Sequence, residues 1–135
     1  MLPQHIHLEI VSPEKLLFSG EVDYVSVPGK GGYLGILPGH APMLSELQVG
    51  EIRYTRGPEI RVFSCCEGFV EVLPEKVSIL ADIAERPEDI NIERAREALQ
   101  RAEKRMRCKD PDIDFERAQQ ALRRALMRLD VASGH

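Results

Sequence analysis

Apolar and polar positions alternate along the first part of this chain, and then the period of the pattern changes. From His5 to about Ala84, short segments rich in Val and Ile follow a two-residue period, the signature of half-buried β-strands. HIHLEIV, EVDYVSV, EIRYT, EIRVFSC, FVEVL and KVSILA are the predicted strands, with turns expected at Ser19-Gly20, Gly29 to Gly32, Arg56-Gly57-Pro58 and Leu73-Pro74-Glu75. Strands this short and this closely spaced predict an antiparallel β-sandwich or flattened barrel of about 85 residues.

Past Pro87 the period becomes helical and the chain repeats itself. DINIERAREALQRAEKRM (89–106) and DIDFERAQQALRRALMRL (112–129) are identical at ten of eighteen positions. Each copy opens with a capping residue (Asn91, Asp114), a first-turn carboxylate (Glu93, Glu116) and an apolar staple pair (Ile90 with Ala95, Ile113 with Ala118). Ile92, Ala95, Leu99, Ala102 and Met106 form one seam, and Phe115, Ala118, Leu122, Ala125 and Leu129 form another. Only Cys108 to Pro111 remain to join the helices once the caps are set aside, so the second returns antiparallel to the first.

The alanines permit close approach but bury little area at about 25 cal/mol per Å², while ordering the backbone costs about 1 to 2 kcal/mol per residue. Such a hairpin is marginal by itself. Glu103 and Lys104 of the first copy correspond to Leu126 and Met127 in the second, which gives the second helix a surplus apolar stripe. The expectation is a β domain over residues 1–86 and a helical hairpin over 87–135, with hairpin docking alternatives only a few kcal/mol apart.

Composition narrows the class. With 135 residues, 43% of them apolar, the chain can build one modest domain or a small domain plus an appendage. No apolar run approaches the roughly 20 residues that cross a bilayer, and no secretion-signal pattern opens the chain, so an intracellular chain is expected. The net charge of −4 conceals a division: residues 1–91 carry seven Lys/Arg against fourteen Asp/Glu, and residues 92–135 carry eleven against eight. An acidic body and a basic appendage can attract each other or seek differently charged partners. Nucleic acid is disfavoured, because the basic segment also holds eight carboxylates and Phe115 is its one aromatic residue.

Candidate chemistry is sparse. The three cysteines form no ligand spacing, so reduced thiols are expected, with Cys65 and Cys66 on opposite faces of a strand, one in the core and one exposed. His5 and His7 share a strand face, yet no further His or Cys stands at metal-ligand spacing. Gly29-Lys30-Gly31-Gly32 lacks the frame of a phosphate loop and is a turn. Two prolines and two glycines in Gly35 to Pro42 (GILPGHAP) set an unusual backbone, either a rigid connection between sheets or a turn that presents something. No Ser-His-Asp or Cys-His arrangement can be nominated, and a small hydrolase using His40 is the weakest reading.

YLGILPGHAP at residue 33, EGFVEV at 67–72, LADIAERPEDI at 80–90 and the ERA-containing helical hairpin together closely resemble the epsilon subunits of bacterial rotary (F-type) ATP synthases, over essentially the whole chain. The resemblance implies a non-catalytic central-stalk subunit peripheral to the cytoplasmic face of the bacterial plasma membrane. It implies a sandwich that binds the gamma subunit and the c-ring loops, and a hairpin that inhibits ATP hydrolysis when it extends into the alpha/beta head. His40 would face gamma, and the turn with Lys30 and Tyr33 would approach the c-ring, Tyr33 standing where relatives often have an acidic residue. No cofactor is required, but relatives bind ATP as a regulatory ligand, which here would involve Glu85, Asn91, Arg94, Arg124 and Arg128. Asn91 replaces the Asp of that motif, whereas Ile113 to Ala118 matches it in full. A stand-alone ATP-sensing module is the alternative.

Overall fold

Burial along the first strand, β1 (Ile6–Val11), alternates strictly, with Ile6, Leu8 and Ile10 inside and His7, Glu9 and Val11 partly exposed. That alternation is the pleat expressed as packing: one face of each strand is removed from water and the other is not. The structure is a computed structural model that describes residues 3–134, and the chain divides into two units, one ending at Glu85 and one beginning at Arg86.

The first unit continues through β2 (Leu16–Val22), β3 (Tyr24–Gly29), β4 (Gly32–Ile36), β5 (Met43–Leu47), β6 (Gly50–Arg56), β7 (Glu59–Cys65), β8 (Gly68–Val72), β9 (Lys76–Ala81) and β10 (Ala84–Glu85). The strand order is β10-β7-β6-β3-β5-β8-β9-β1-β2, with β4 hydrogen-bonded to β3. The sheet curls around one core, in which Ile10, Val25, Ile36, Ile52, Phe63 and Ile79 are among the fully enclosed side chains. The predicted sandwich or flattened barrel is thus present. One pairing departs from the antiparallel rule: β1 and β9 run parallel, from His7 opposite Lys76 to Val11 opposite Leu80. They come from opposite ends of the unit, so no tight turn dictates their direction.

The periodicity misses three strands and most of a fourth, and misplaces one turn. Segments 16–22, 32–36, 43–47 and 84–85 are strands although glycines, or shortness, hide their alternation. Ser19-Gly20 lies inside β2, not at a turn. A Cβ at Gly20 would come within 3.1 Å of the Phe18 ring and 3.2 Å of the Arg56 guanidinium, so the glycine leaves room for the pair. Arg56 itself sits 5.6 Å from the centroid of Phe18, which stacks on Tyr54 at 4.5 Å.

EVDYVSV, predicted as one strand, is two, broken at Asp23. The Asp23 carboxylate accepts from the Gly57 N–H at 2.7 Å and lies 3.1 Å from His5 Nδ1, which ties the β2–β3 bend to the β6–β7 turn and the start of β1. The Gly57 amide, with help from His5, holds this carboxyl below its ordinary range.

Backbone strain is concentrated where β7 passes to β8. Glu67 and Gly68 both have positive φ, at 72° and 141°. Asp82 N–H donates to the Glu67 carbonyl at 3.0 Å, and Cys66 N–H to the Ile83 carbonyl at 2.9 Å, so EGFVEV and LADIAE, far apart in sequence, meet here. A Cβ on Gly68 would stand 2.8 Å from the Ala81 Cα and closer still to the Leu80 carbonyl oxygen. Only glycine satisfies both constraints.

In the second unit a 3₁₀ turn (Pro87–Asp89) precedes α1 (Ile92–Arg107) and α2 (Phe115–Ala132). Both caps form as expected: Arg94 N–H donates to Asn91 Oδ1 at 3.1 Å, and Arg117 N–H to Asp114 Oδ1 at 3.0 Å. The helices pack on Ala95 and Ala102 against Ala118 and Ala125, all buried. Ile92 and Phe115, assigned to the seams by periodicity, are 42% and 55% exposed. They occupy the first residue of their helices, where little flanking chain covers them.

Two predictions follow from these constraints. Gly68→Ala is expected to cost about 3 kcal/mol or more in denaturant unfolding, through backbone clash and strain together. Because the folded pKa of Asp23 is depressed, its contribution is complete above the unfolded carboxyl value of about 3.9 and is lost as pH falls through the folded value. The stability difference between wild type and Asp23→Asn should therefore be constant near neutrality and close in acid; a difference that does not change with pH would contradict the assignment.

Candidate functional site

Two places on the chain collect the polar residues nominated from sequence, and each lies within one unit. On the first unit, β3 and β4 are joined by a two-residue turn, with Gly29 paired to Gly32 and Lys30-Gly31 at the tip. Lys30 is held twice to β5: its N–H donates to the Glu46 carbonyl at 2.9 Å and its Nζ lies 2.9 Å from Glu46 Oε2. The Glu46 carboxylate raises the Lys30 pKa, so the ammonium stays charged. Tyr33 is not a loose surface ring. Its hydroxyl accepts from the Glu51 N–H at 3.0 Å, bracing β4 against the start of β6 while most of the ring edge remains exposed.

The GILPGHAP segment is rigid for a visible reason. Gly39 adopts φ 86°, its N–H donates to the Pro74 carbonyl at 2.7 Å, and His40 N–H closes a turn onto the Leu37 carbonyl at 3.2 Å. The loop is therefore pinned to the β8–β9 turn. His40 Nδ1 donates to the Ala41 carbonyl at 2.7 Å, which fixes the tautomer, because a carbonyl can only accept. Among the described residues no nucleophile or carboxylate bonds to this imidazole, and the hydrolase reading has no geometry behind it. His40 is a rigidly presented ring, not a base in a relay.

His5 and His7 go to separate partners. His5 meets Asp23, while His7 lies 3.4 Å from Glu9 and 3.5 Å from Glu21. Among the described residues no cluster of three potential metal ligands exists.

On the second unit, the nominated nucleotide residues lie at two places along the helices. Asn91 spends its side-chain oxygen on the helix cap, and Arg94 is exposed in the first turn of α1. Glu85 belongs to the first unit, where its N–H donates to Ser64 Oγ at 3.1 Å. Arg124 and Arg128, by contrast, enter a cleft between α1 and α2 of about 220 Å³. Two further arginines, Arg101 and Arg105, line the same cleft over a floor of Ala98, Ala102, Ala121 and Ala125. Arg101 and Arg105 were not singled out from sequence. The signal was nevertheless present: in the internal repeat Arg101 corresponds to Arg124 and Arg105 to Arg128.

Cys66, expected on the surface if Cys65 was in the core, is 4% exposed, and both thiols are enclosed. β7 ends at Cys65, so strand alternation does not reach Cys66, which turns inward with the positive-φ corner. Burial pushes the Cys65 thiol up to about 12. Cys108, between the helices, is exposed.

A β-sandwich followed by an antiparallel helical hairpin, each with its own core, defines a two-module protein built to present surfaces, not to enclose a reaction. Residues 5–87 match the family ATP synthase, Delta/Epsilon chain, beta-sandwich domain, and residues 88–133 match ATP synthase, Delta/Epsilon chain, long alpha-helix domain. The chain is 52% identical over 103 residues to the ATP synthase epsilon chain of Koribacter versatilis, covering 76% of this chain and 72% of that one. It is 47% identical over 102 residues to the ATP synthase epsilon chain of Desulforamulus reducens, covering 76% and 77%. The chain belongs to the delta/epsilon chain family of ATP synthase.

Solved structures agree on the fold. A chain in the mitochondrial ATP synthase of Euglena gracilis, described with OSCP, F1 and the c-ring, superposes with a TM-score of 0.84 at 21% identity, covering all of this chain and 84% of that one. One in the central stalk and c-ring assembly of Tetrahymena thermophila gives 0.60 at 13% identity, covering 99% and 98%.

The burial pattern predicts thiol behaviour. With the native protein at mild alkaline pH, a chromogenic disulfide reagent is expected to titrate Cys108 rapidly, and Cys65 and Cys66 only after denaturant is added; rapid release of more than one equivalent would contradict the enclosed corner.

Proposed function

We propose that this chain is a non-catalytic rotor subunit of an F-type ATP synthase, coupling ion-driven rotation to ATP synthesis and restraining ATP hydrolysis through its hairpin. The observation that carries the reading is the match of both units, in order and nearly end to end, to one family. The sandwich supplies the coupling element. Its two braced projections, the Lys30-Gly31 tip and the His40 loop, are stiff enough to transmit torque, with the tip toward the c-ring loops and His40 toward gamma. No helix among the described residues is long and apolar enough to cross a membrane, so the subunit is held at the bacterial plasma membrane by its partners, gamma, the c-ring and the alpha/beta head.

The hairpin supplies the brake. Its alanine seam buries little area, its second helix leaves Leu126 51% exposed, and its net charge is opposite to that of the sandwich. A weakly committed, basic, apolar-striped element is suited to exchanging one resting surface for another. ATP is the regulatory ligand in this reading, and the placement of Arg124 and Arg128 in one cleft supports an anion site on the hairpin.

The test is truncation after Arg86 in the reconstituted synthase. ATP hydrolysis is expected to rise several-fold while proton- or sodium-driven ATP synthesis persists. Unchanged hydrolysis with coupling intact would remove the brake and leave the stalk role alone.

A further inference from the structure

The two projections of the sandwich stand at opposite ends of one pair of strands. β5 pairs with β8 over its whole length, from Met43 opposite Val72 to Leu47 opposite Gly68. At the Met43 end, the His40 loop runs through Pro42 directly into β5, and Gly39 N–H donates to the carbonyl of Pro74, just past the end of β8. At the Leu47 end the β3–β4 hairpin is tied down: Gly29 pairs with Leu47, and Gln48 N–H donates to the Pro28 carbonyl at 2.9 Å. The strand between these two anchorages is five residues long, a span of about 15 Å.

One residue of β5 grips the tip twice. The Glu46 carbonyl accepts from the Lys30 N–H at 2.9 Å, and the Glu46 carboxylate lies 2.9 Å from Lys30 Nζ. Lys30 carries the only side chain of the two-residue tip, and a Cβ placed at Gly31 or Gly32 would meet no atom within 4 Å. Glycine leaves the backbone free to bend, so a tip of this composition needs an external hold to keep one position. Glu46 supplies it. Both side chains are largely exposed, so their pairing adds little to the stability of the fold. What it restricts is where the tip stands.

We infer that Glu46 is a positioning residue for coupling: it fixes the Lys30-Gly31 tip on β5, and displacement of the tip passes along the β5–β8 ladder to the His40 loop. The inference rests on the rotor reading of the preceding section, in which tip and loop face different partners, and adds the route between them. It also turns Lys30 inward, because its ammonium belongs to Glu46 and is not offered to a partner. The ladder suits this task because both ends of β8 are held. Pro74 takes the Gly39 N–H beyond one end, and at the other the positive-φ Gly68 is seated against the backbone of Leu80 and Ala81.

Charge reversal in the full chain tests this, read in the reconstituted synthase and in the free subunit. Glu46→Lys and Lys30→Glu are each expected to lower ion-driven ATP synthesis by about twofold or more, because like charges then meet at the tip. Each should also speed hydrogen exchange of the Lys30 amide in the free chain. The double variant, in which the two charges trade places, is expected to recover most of both losses. Both positions are exposed, so these variants keep the fold, and circular dichroism of the sheet checks it. A double variant that couples as poorly as the single ones would mean that Lys30 meets the partner itself, and would overturn the inference. Unchanged coupling in both single variants, or unchanged exchange at Lys30, would overturn it as well. Failure of the wild-type chain to restore coupling to a synthase lacking this subunit would overturn the rotor reading and this inference together, a result that the exchange measurement on the free chain cannot produce.

Discussion

The helical unit of this molecule depends on the smallness of four side chains. Ala95, Ala102, Ala118 and Ala125 form the buried contact between α1 and α2, and larger residues there would hold the helices further apart. Their small size has two consequences that act together. It draws Arg101, Arg105, Arg124 and Arg128 into one cleft, and it keeps the apolar area buried between the helices low, so the hairpin commits little free energy to its own packing. A hairpin sealed by leucine would bury more apolar area and be more stable. Leu126 on α2 is left half exposed, an apolar side chain that this packing does not cover.

The first unit has the opposite character. Its sheet closes around a core of branched aliphatic residues, and its connections are tied by specific bonds where a loop might have been slack. Asp23 links three segments, Gly39 anchors the His40 loop to Pro74, and the positive-φ pair Glu67-Gly68 locks the β7–β8 corner against 82–83. Projections built on such supports move with the body that carries them, which is the property required of a part that transmits rotation. Two units of different character therefore share one chain because their packing differs, with branched side chains in one and alanine in the other.

The apparent candidates for chemistry are resolved into structural roles by the same reasoning. His40 carries its Nδ1 proton to the neighbouring carbonyl, Tyr33 braces β4, Asn91 caps α1, and Cys65 is a buried thiol held neutral by its surroundings. In each case a group reactive elsewhere is occupied by a backbone partner or shut away from water. What remains available is charge on a surface, suited to holding partners and anions.

Much of this was legible before any coordinates. Two-residue alternation named six strand segments, the repeat defined both helices, and Asn91 and Asp114 marked their first turns, because these signals act between near neighbours in the chain. Glycine-rich strands such as Gly32–Ile36, the break at Asp23, the inward turn of Cys66 and the parallel pairing of β1 with β9 were hidden, since each depends on a partner distant in sequence. The arginine cleft lies between these cases. Local periodicity determined that equivalent arginines recur in the two copies, but whether they face one another depends on how the helices are rotated in packing. Sequence alone thus decided the elements, their caps and the charge of each unit, through short-range hydrogen bonding and periodicity; tertiary structure alone decided which side chains share a space, because that is a property of contact between surfaces and not of order along a chain.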